Sequence, residues 1–343
     1  MKALLLTAPG QLEYTDVPTP RPGGDEVRVA VKACGICGSD IHGMDGSSGR
    51  RIPPLIMGHE AAGVIDEVGT GVSGWAIGDR VTFDSTIYCG ECAYCRLGKV
   101  NLCDQRRVLG VSCSDYRQHG AFAEYLVVPS RILYRIPDAV SFTDAALVEP
   151  LAVAAHAVAR AVLHDDSRIA VIGCGIIGLL IIQVLRAAGC AQITAVDLDG
   201  RRLERAARLG AMTVASDGGV DVLPRILQAT DGRGSDVVFE AVGVGPTVEL
   251  ATRVAAKGGQ VVLVGNLDGS VRLPLQTVVT REIDLLGSAA SNGEYAHCIE
   301  LLETRAVDVS SVISAVAPLA EGAKWFEALR SRDGDLLKVV LEP

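Results

Sequence analysis

Two hydrophobic periods divide the chain. Up to about residue 136, apolar positions form short runs or alternate with polar ones, which is the period of strands with one buried face. Residues 2–7 are an apolar run, and Val27, Val29 and Val31 alternate with Arg28, Ala30 and Lys32. Pro18, Pro20, Pro22, Gly23 and Gly24 make the turn between them. The same text continues through 61–83 and 119–136, with no helical period, as in a small irregular barrel. After Pro137 the period changes. Residues 141–163 are alanine-rich and helical, with Pro150 placed to break or start a helix. Strands are then predicted at 168–172, 192–196, 237–240 and 260–264, and helices at 179–188, 201–209 and 248–256. Strands and helices in alternation make a parallel, doubly wound sheet. Beyond about residue 290 the text is mixed, with a helix at 294–303 and a last strand at 337–341. The predicted fold class is therefore α/β: a small β-barrel domain over 1–148 and a doubly wound domain over 149–289.

The turn after the strand at 168–172 reads Gly173-Cys174-Gly175-Ile176-Ile177-Gly178. Such a glycine pattern carries weight only with a strand before it and a helix after it, and both are predicted here. About 20 residues on, the next strand ends at Asp197, where a carboxylate can accept hydrogen bonds from a ribose 2′-hydroxyl. Gly173, Gly175, Ile176, Ile177, Gly178 and Asp197 are therefore read as a nucleotide site. Arg202 is placed to pack against adenine. The expected cofactor is NAD rather than NADP, because Asp197 would repel a 2′-phosphate; Arg201 and Arg202 are the features that argue the other way.

Cysteines add metal chemistry. Cys89, Cys92, Cys95 and Cys103 have the spacing C-x2-C-x2-C-x7-C. Four thiolates so close can wrap one tetrahedral Zn²⁺ with no open position, a structural site. Arg96, Lys99, Arg106 and Arg107 stand near in sequence to offset its charge. Earlier, Cys37 and the Gly58-His59-Glu60 triplet supply a thiolate, an imidazole and a carboxylate, a ligand set for a second, catalytic zinc. Ser39 and His42 follow Cys37 closely and could carry a proton away from it. Asp40 is read as orienting His59. Glu149, beside Pro150 at the change of period, is a second candidate carboxylate.

Composition narrows the setting. At 343 residues the chain can hold two domains, and 49% apolar residues allow large cores. A net charge of −9 argues against nucleic-acid binding, which calls for a basic face. No apolar run approaches the roughly 20 residues of a membrane span, and no targeting segment is expected. Ten cysteines in such a chain point to metal or redox chemistry rather than disulfides. A cytoplasmic protein is expected.

Cys37, Gly58-His59-Glu60, the four-cysteine loop and the glycine fingerprint, in that order, resemble the zinc-dependent medium-chain dehydrogenase/reductase family over essentially the whole chain. The resemblance implies a GroES-like barrel over 1–148 that the C-terminal segment 290–343 re-enters and completes, a Rossmann coenzyme domain over 149–289 inserted between, and an active site in the cleft. The Val148-Glu149-Pro150 triplet is similar to the polyol branch (sorbitol and galactitol-phosphate dehydrogenases), where alcohol dehydrogenases commonly carry a cysteine. That leaves the third zinc ligand open between Glu60 and Glu149. The implied function is NAD-dependent oxidation of a secondary alcohol of a polyol or sugar derivative to a ketone. Two Zn²⁺ per chain, a Ser39–His42 proton relay and a homodimer or homotetramer go with it. Threonine 3-dehydrogenase is a competitor, because Arg50-Arg51-Ile52-Pro53-Pro54 resembles its text. Arg50 and Arg51 could also meet an anionic group of the substrate. From other classes, a non-catalytic zinc- and nucleotide-binding relative is opposed by Ser39 and His42, and a zinc-free reductase by both ligand sets.

Overall fold

The structure, a computed structural model, describes residues 1–216, 222–331 and 335–343. The chain forms two compact units, Met1–Glu149 with Asn292–Pro343, and Pro150–Ser291. The boundaries fall one to two residues later than expected, so Glu149 belongs to the first unit.

The first unit is built on a seven-stranded sheet. Glu26–Gly35 lies at its centre, antiparallel to Glu60–Val68, Tyr125–Pro129 and Lys338–Glu342. The alternating valines explain the position: Val27, Val29 and Val31 face the core, while Arg28 and Ala30 are only partly covered and Lys32 is exposed. Register places Gly35 opposite Glu60 on one side and Val340 on the other. The last strand thus reaches the part of the sheet that holds the candidate metal ligands. Ile313–Pro318 pairs parallel with that strand, followed by the helix Gly322–Ser331. Neither was expected from sequence, since the strand leaves Val316 half exposed and has no clean alternation.

The predicted helix at 141–163 is two helices, Phe142–Ala146 and Val148–Ala159. Ser141 caps the first by accepting from the Asp144 N–H, and Pro150 sits in the first turn of the second, where a missing N–H costs nothing.

The second unit is a six-stranded, wholly parallel sheet. Its strands are Arg168–Ile172, Gln192–Asp197, Met212–Ala215, Ser235–Glu240, Ala255–Leu263 and Asp284–Gly287. Counted from the first, their order is 3-2-1-4-5-6, the doubly wound order that places a ligand at the C-terminal ends of the strands where the order reverses. Ala255 and Ala256, expected in a helix, open the fifth strand, because the helix before it ends at Val254. Among the described residues, no helix is long and apolar enough to cross a membrane.

Candidate metal and nucleotide sites

Cys37 ends the approach to the short helix Gly38–Gly43 and caps it with extended backbone. His59 and Glu60 enter from the start of the neighbouring strand. One ligand atom from each of Cys37, His59 and Glu60 lies within 4.8 Å of the others, with His59 and Glu60 buried. A soft thiolate, an imidazole and a carboxylate at this spacing fit zinc. His59 Nδ1 lies 3.6 Å from Asp40 Oδ1, and Nδ1 and Asp40 Oδ2 are buried without hydrogen-bond partners. Burial opposes a charge on His59, but Asp40 and then Cys37 outweigh it and raise the imidazole to about 10. A metal taken up through His59 therefore displaces a proton.

Of the two glutamates, the structure brings Glu60 to this group and leaves Glu149 outside it. Glu149 is held instead by Ser85, whose Oγ donates to Oε1 at 3.0 Å. Its carboxyl is pushed up by burial and by Glu60, against His59, Ser85 and Lys338. Glu60 is itself bound to Lys338, which sequence reasoning missed. Lys338 Nζ donates to Oε2 at 2.6 Å, to Oε1 at 2.8 Å and to the Ile36 carbonyl at 3.0 Å. Only the pairing of the last strand with the centre of the sheet brings Lys338 here, some 280 residues from Glu60, so no local pattern could reveal it. Burial alone would lower the Lys338 ammonium; Glu60 and Cys37 reverse this and hold it above its ordinary range.

Arg51 corrects another expectation. It is 4% exposed and cannot meet a substrate anion from a solvated loop. Its Nη2 donates to Asp40 Oδ1 at 2.9 Å and to Ser39 Oγ at 3.3 Å. Ser39 in turn donates to Cys37 Sγ at 3.3 Å. His42 is exposed one turn further along the same helix. Ser39 and His42 are therefore near neighbours, but no hydrogen bond joins them.

The four cysteines of the loop 89–103 also converge within 4.8 Å. Sulfur pairs stand at 3.5 Å (Cys103 and Cys89) and 3.9 Å (Cys89 and Cys95). Four sulfurs at about 2.3 Å from one zinc would lie about 3.8 Å apart, so the loop fits that ion. Backbone N–H groups of Cys92, Cys95 and Gln105 point at sulfurs, at 3.3, 3.5 and 3.4 Å, as thiolates require. All ten cysteines are free. Nearby, Arg96 and Arg106 donate to the Glu91 and Asn101 carbonyls.

In the second unit the glycine turn closes onto the helix Ile176–Ala187, capped by Gly175. A Cβ on Gly178 would stand 1.8 Å from the Gly173 carbonyl oxygen, so only glycine lets helix and turn touch there. A Cβ on Gly175 would meet nothing within 4 Å. That open space faces the first N–H groups of the helix, where a pyrophosphate can be bound. Ile176 and Ile177 are partly exposed at the helix start. Asp197 accepts from the Cys174 N–H at 2.6 Å and the Asp199 N–H at 2.9 Å, and Arg202 Nη1 stands 3.9 Å from it. A carboxylate has about four acceptor positions, so two remain for a ribose. Arg201 pairs with Asp199.

Comparison with known proteins decides the family. The family description "Alcohol dehydrogenase GroES-like domain" matches residues 23–138, and "Zinc-binding dehydrogenase" matches 177–304. A sorbitol dehydrogenase of Halalkalibacterium halodurans is 34% identical over 100% of this chain and 99% of its own. The chain belongs to the zinc-dependent medium-chain dehydrogenase/reductase family. A D-arabitol-phosphate dehydrogenase of Enterococcus avium is 34% identical over 100% of this chain and 97% of its own. The crystal structure of a zinc-binding dehydrogenase from Sinorhizobium meliloti bound to NADP is 33% identical, with a TM-score of 0.91, over 100% of this chain and 99% of that one. The fold expected from sequence, a GroES-like domain with a Rossmann domain, is that of the family.

Proposed function

We propose that the chain is a zinc-dependent polyol dehydrogenase that oxidises a secondary alcohol of a polyol or sugar derivative to a ketone with NAD. The observation that carries this is the Cys37, His59 and Glu60 group, present with an intact glycine turn in a member of this family. The polyol-type names of two full-length relatives support the substrate class. Cys37, His59 and Glu60 would hold a zinc ion, which would supply a Lewis acid to lower the pKa of a substrate hydroxyl. Ser39 accepts the proton released there, and His42, exposed one turn on, delivers it to solvent. Asp40 and Arg51 fix the positions of His59 and Ser39. A second zinc on Cys89, Cys92, Cys95 and Cys103 holds that loop. Gly173, Gly175, Ile176, Ile177 and Gly178 take the cofactor pyrophosphate. Asp197 selects NAD through the ribose, with Arg202 against the adenine.

The free cysteines accord with a cytoplasmic setting. Self-association into a homodimer or homotetramer is supported by the edge strand Asp284–Gly287 and the exposed Leu267, Leu275 and Val279 near it in sequence. The test is kcat/KM for C4–C6 polyols, with and without a terminal phosphate, against ethanol and L-threonine, with each nicotinamide cofactor. A polyol should win, with NAD over NADP. A clear preference for ethanol or threonine overturns the substrate class, and equal use of both cofactors overturns the role of Asp197.

A further inference from the structure

Arg51 is spent on Asp40 and Ser39, but the arginine before it is not. Arg51 Nη1 donates to the Arg50 carbonyl at 3.1 Å, and the Ser112 N–H donates to the same carbonyl at 3.2 Å. The buried Arg51 thus anchors Arg50 between the helix that carries Asp40 and the segment that carries Ser112, and the Arg50 side chain is exposed. A second arginine reaches the same region from another part of the chain. Thr86 pairs with Val108 and Ile87 with Arg107, and the Leu109 N–H donates to the Ser85 carbonyl at 3.0 Å. That pairing seats Arg106 beside the segment that holds Asp84 and Ser85, and so near Glu149, which Ser85 binds. Arg106 is half-buried.

Neither guanidinium is matched by a counter-ion. Of its five N–H donors Arg106 gives one to the Asn101 carbonyl, at 3.1 Å. Among the described residues, neither Arg50 nor Arg106 forms an ion pair. The acids nearby are engaged elsewhere: Asp84 accepts from the Thr86 N–H at 2.8 Å, and Glu149 from Ser85 at 3.0 Å. The two arginines feel each other. Burial first and Arg50 after it lower the Arg106 guanidinium from its ordinary value, against Tyr116, Asp84 and Glu149. Glu149 in turn acts on His59 and Glu60 of the candidate zinc group. Two uncompensated forks brought together beside that group form a site for an oxyanion, which each fork can bind through two N–H groups. We propose that Arg50 and Arg106 bind a terminal phosphate or carboxylate of the polyol substrate, so that the chain acts on an anionic sugar derivative in preference to a neutral one. The proposal rests on the polyol dehydrogenase reading.

The experiment uses the full-length, zinc-loaded protein with NAD. It compares kcat/KM for C4–C6 polyols, their terminal phosphates and the corresponding terminal carboxylates, in the unmodified chain and in Arg106→Gln, Arg106→Lys, Arg50→Gln and Arg107→Gln. In the unmodified chain one of the two anionic series exceeds its neutral parents by about tenfold or more, and which series wins says whether the site takes phosphate or carboxylate. Arg106→Gln and Arg50→Gln each cut that anion-to-neutral ratio by about tenfold, the loss of one hydrogen bond to a charged group. Arg106→Lys, which keeps the charge without the fork, loses less. Arg107→Gln removes a neighbouring exposed charge and leaves the ratio as it was. Arg50 is exposed, so its variant folds even where that of Arg106 does not. Calorimetric titration with the preferred anionic polyol, in the absence of NAD, should show affinity weakened by the same factor without any turnover. Neutral polyols preferred over both anionic series, an unchanged ratio in Arg50→Gln, or an equal loss in Arg107→Gln overturns the proposal and leaves the polyol reading standing. Ethanol or L-threonine preferred over every polyol overturns that reading, and the proposal with it.

Discussion

Replacing Gly178 with alanine places a Cβ 1.8 Å from the Gly173 carbonyl oxygen. That is about 1.5 Å short of ordinary contact, and the obstacle is backbone that cannot rotate away. The helix Ile176–Ala187 has to shift from the turn it packs on. Overpacking of this kind costs about 1–3 kcal/mol, and a rigid obstacle puts it near the top of that range. Alanine's better helix propensity returns up to about 1 kcal/mol. The net loss is about 2 kcal/mol, or roughly 8 °C in Tm for a unit of this size. Gly175→Ala is the contrast. Its backbone, φ −70° and ψ −168°, is one any residue adopts, and its Cβ meets no protein atom. Stability should hold, but the methyl group occupies the space before the helix N–H groups. Losing one hydrogen bond to a charged phosphate, about 1.5–3 kcal/mol, weakens cofactor binding by roughly tenfold to a hundredfold. Calorimetric melting without cofactor and titration with NAD read the two effects separately. An unchanged Tm for Gly178→Ala, or an unchanged Kd for Gly175→Ala, refutes the division of roles.

Arg51→Met should cost about 3 kcal/mol in urea unfolding, because it strands the fully buried Asp40 carboxylate. Adding Asp40→Asn should recover most of that, and a single change costing under about 1 kcal/mol would contradict it. Asp84 is raised from 3.8 to about 7, by burial first and by Glu149 and Glu294 after it, against the Thr86 N–H and Arg106. The unfolded chain releases this proton near pH 4 and the folded chain near 7, so ionising Asp84 removes stability as pH rises through that window, by an amount of the order of 4 kcal/mol. Asp84→Asn keeps the oxygen that accepts from Thr86 and should gain on the unmodified protein between pH 5 and pH 8; an equal difference at both pH values would refute this.

The doubly wound unit was legible because each of its signals is local. A valine- and isoleucine-rich strand, a glycine turn and an apolar helix follow one another within some twenty residues, and Asp197 ends the next strand. The four-cysteine loop was legible for the same reason. The candidate catalytic group was legible as far as Cys37, His59 and Glu60, whose residue types declare metal binding. What stayed hidden depends on strand pairing across the whole chain. Lys338 reads as an ordinary charged residue at the start of a strand, and its burial follows only from the place of that strand beside Glu26–Gly35. Arg51 reads as a loop cation, and its burial goes with its ion pair to the fully buried Asp40. The hydrogen bond from Ser85 to Glu149 was not legible, because Ser85 lies in a segment whose sequence announces only a strand. The split of 141–163 into two helices was signalled by Pro150, but its position at Leu147 was not, because alanine favours helix throughout and gives no stop signal there.

Whether the chain carries both zinc ions is decided by metal stoichiometry, measured by mass spectrometry and elemental analysis on protein purified without chelator. Two zinc ions are expected in the unmodified chain. Cys37→Ser should retain one and lose turnover while still binding cofactor, and Cys92→Ser should retain the other and lose stability. One zinc or none in folded, unmodified protein, or near-normal turnover in Cys37→Ser, would contradict it.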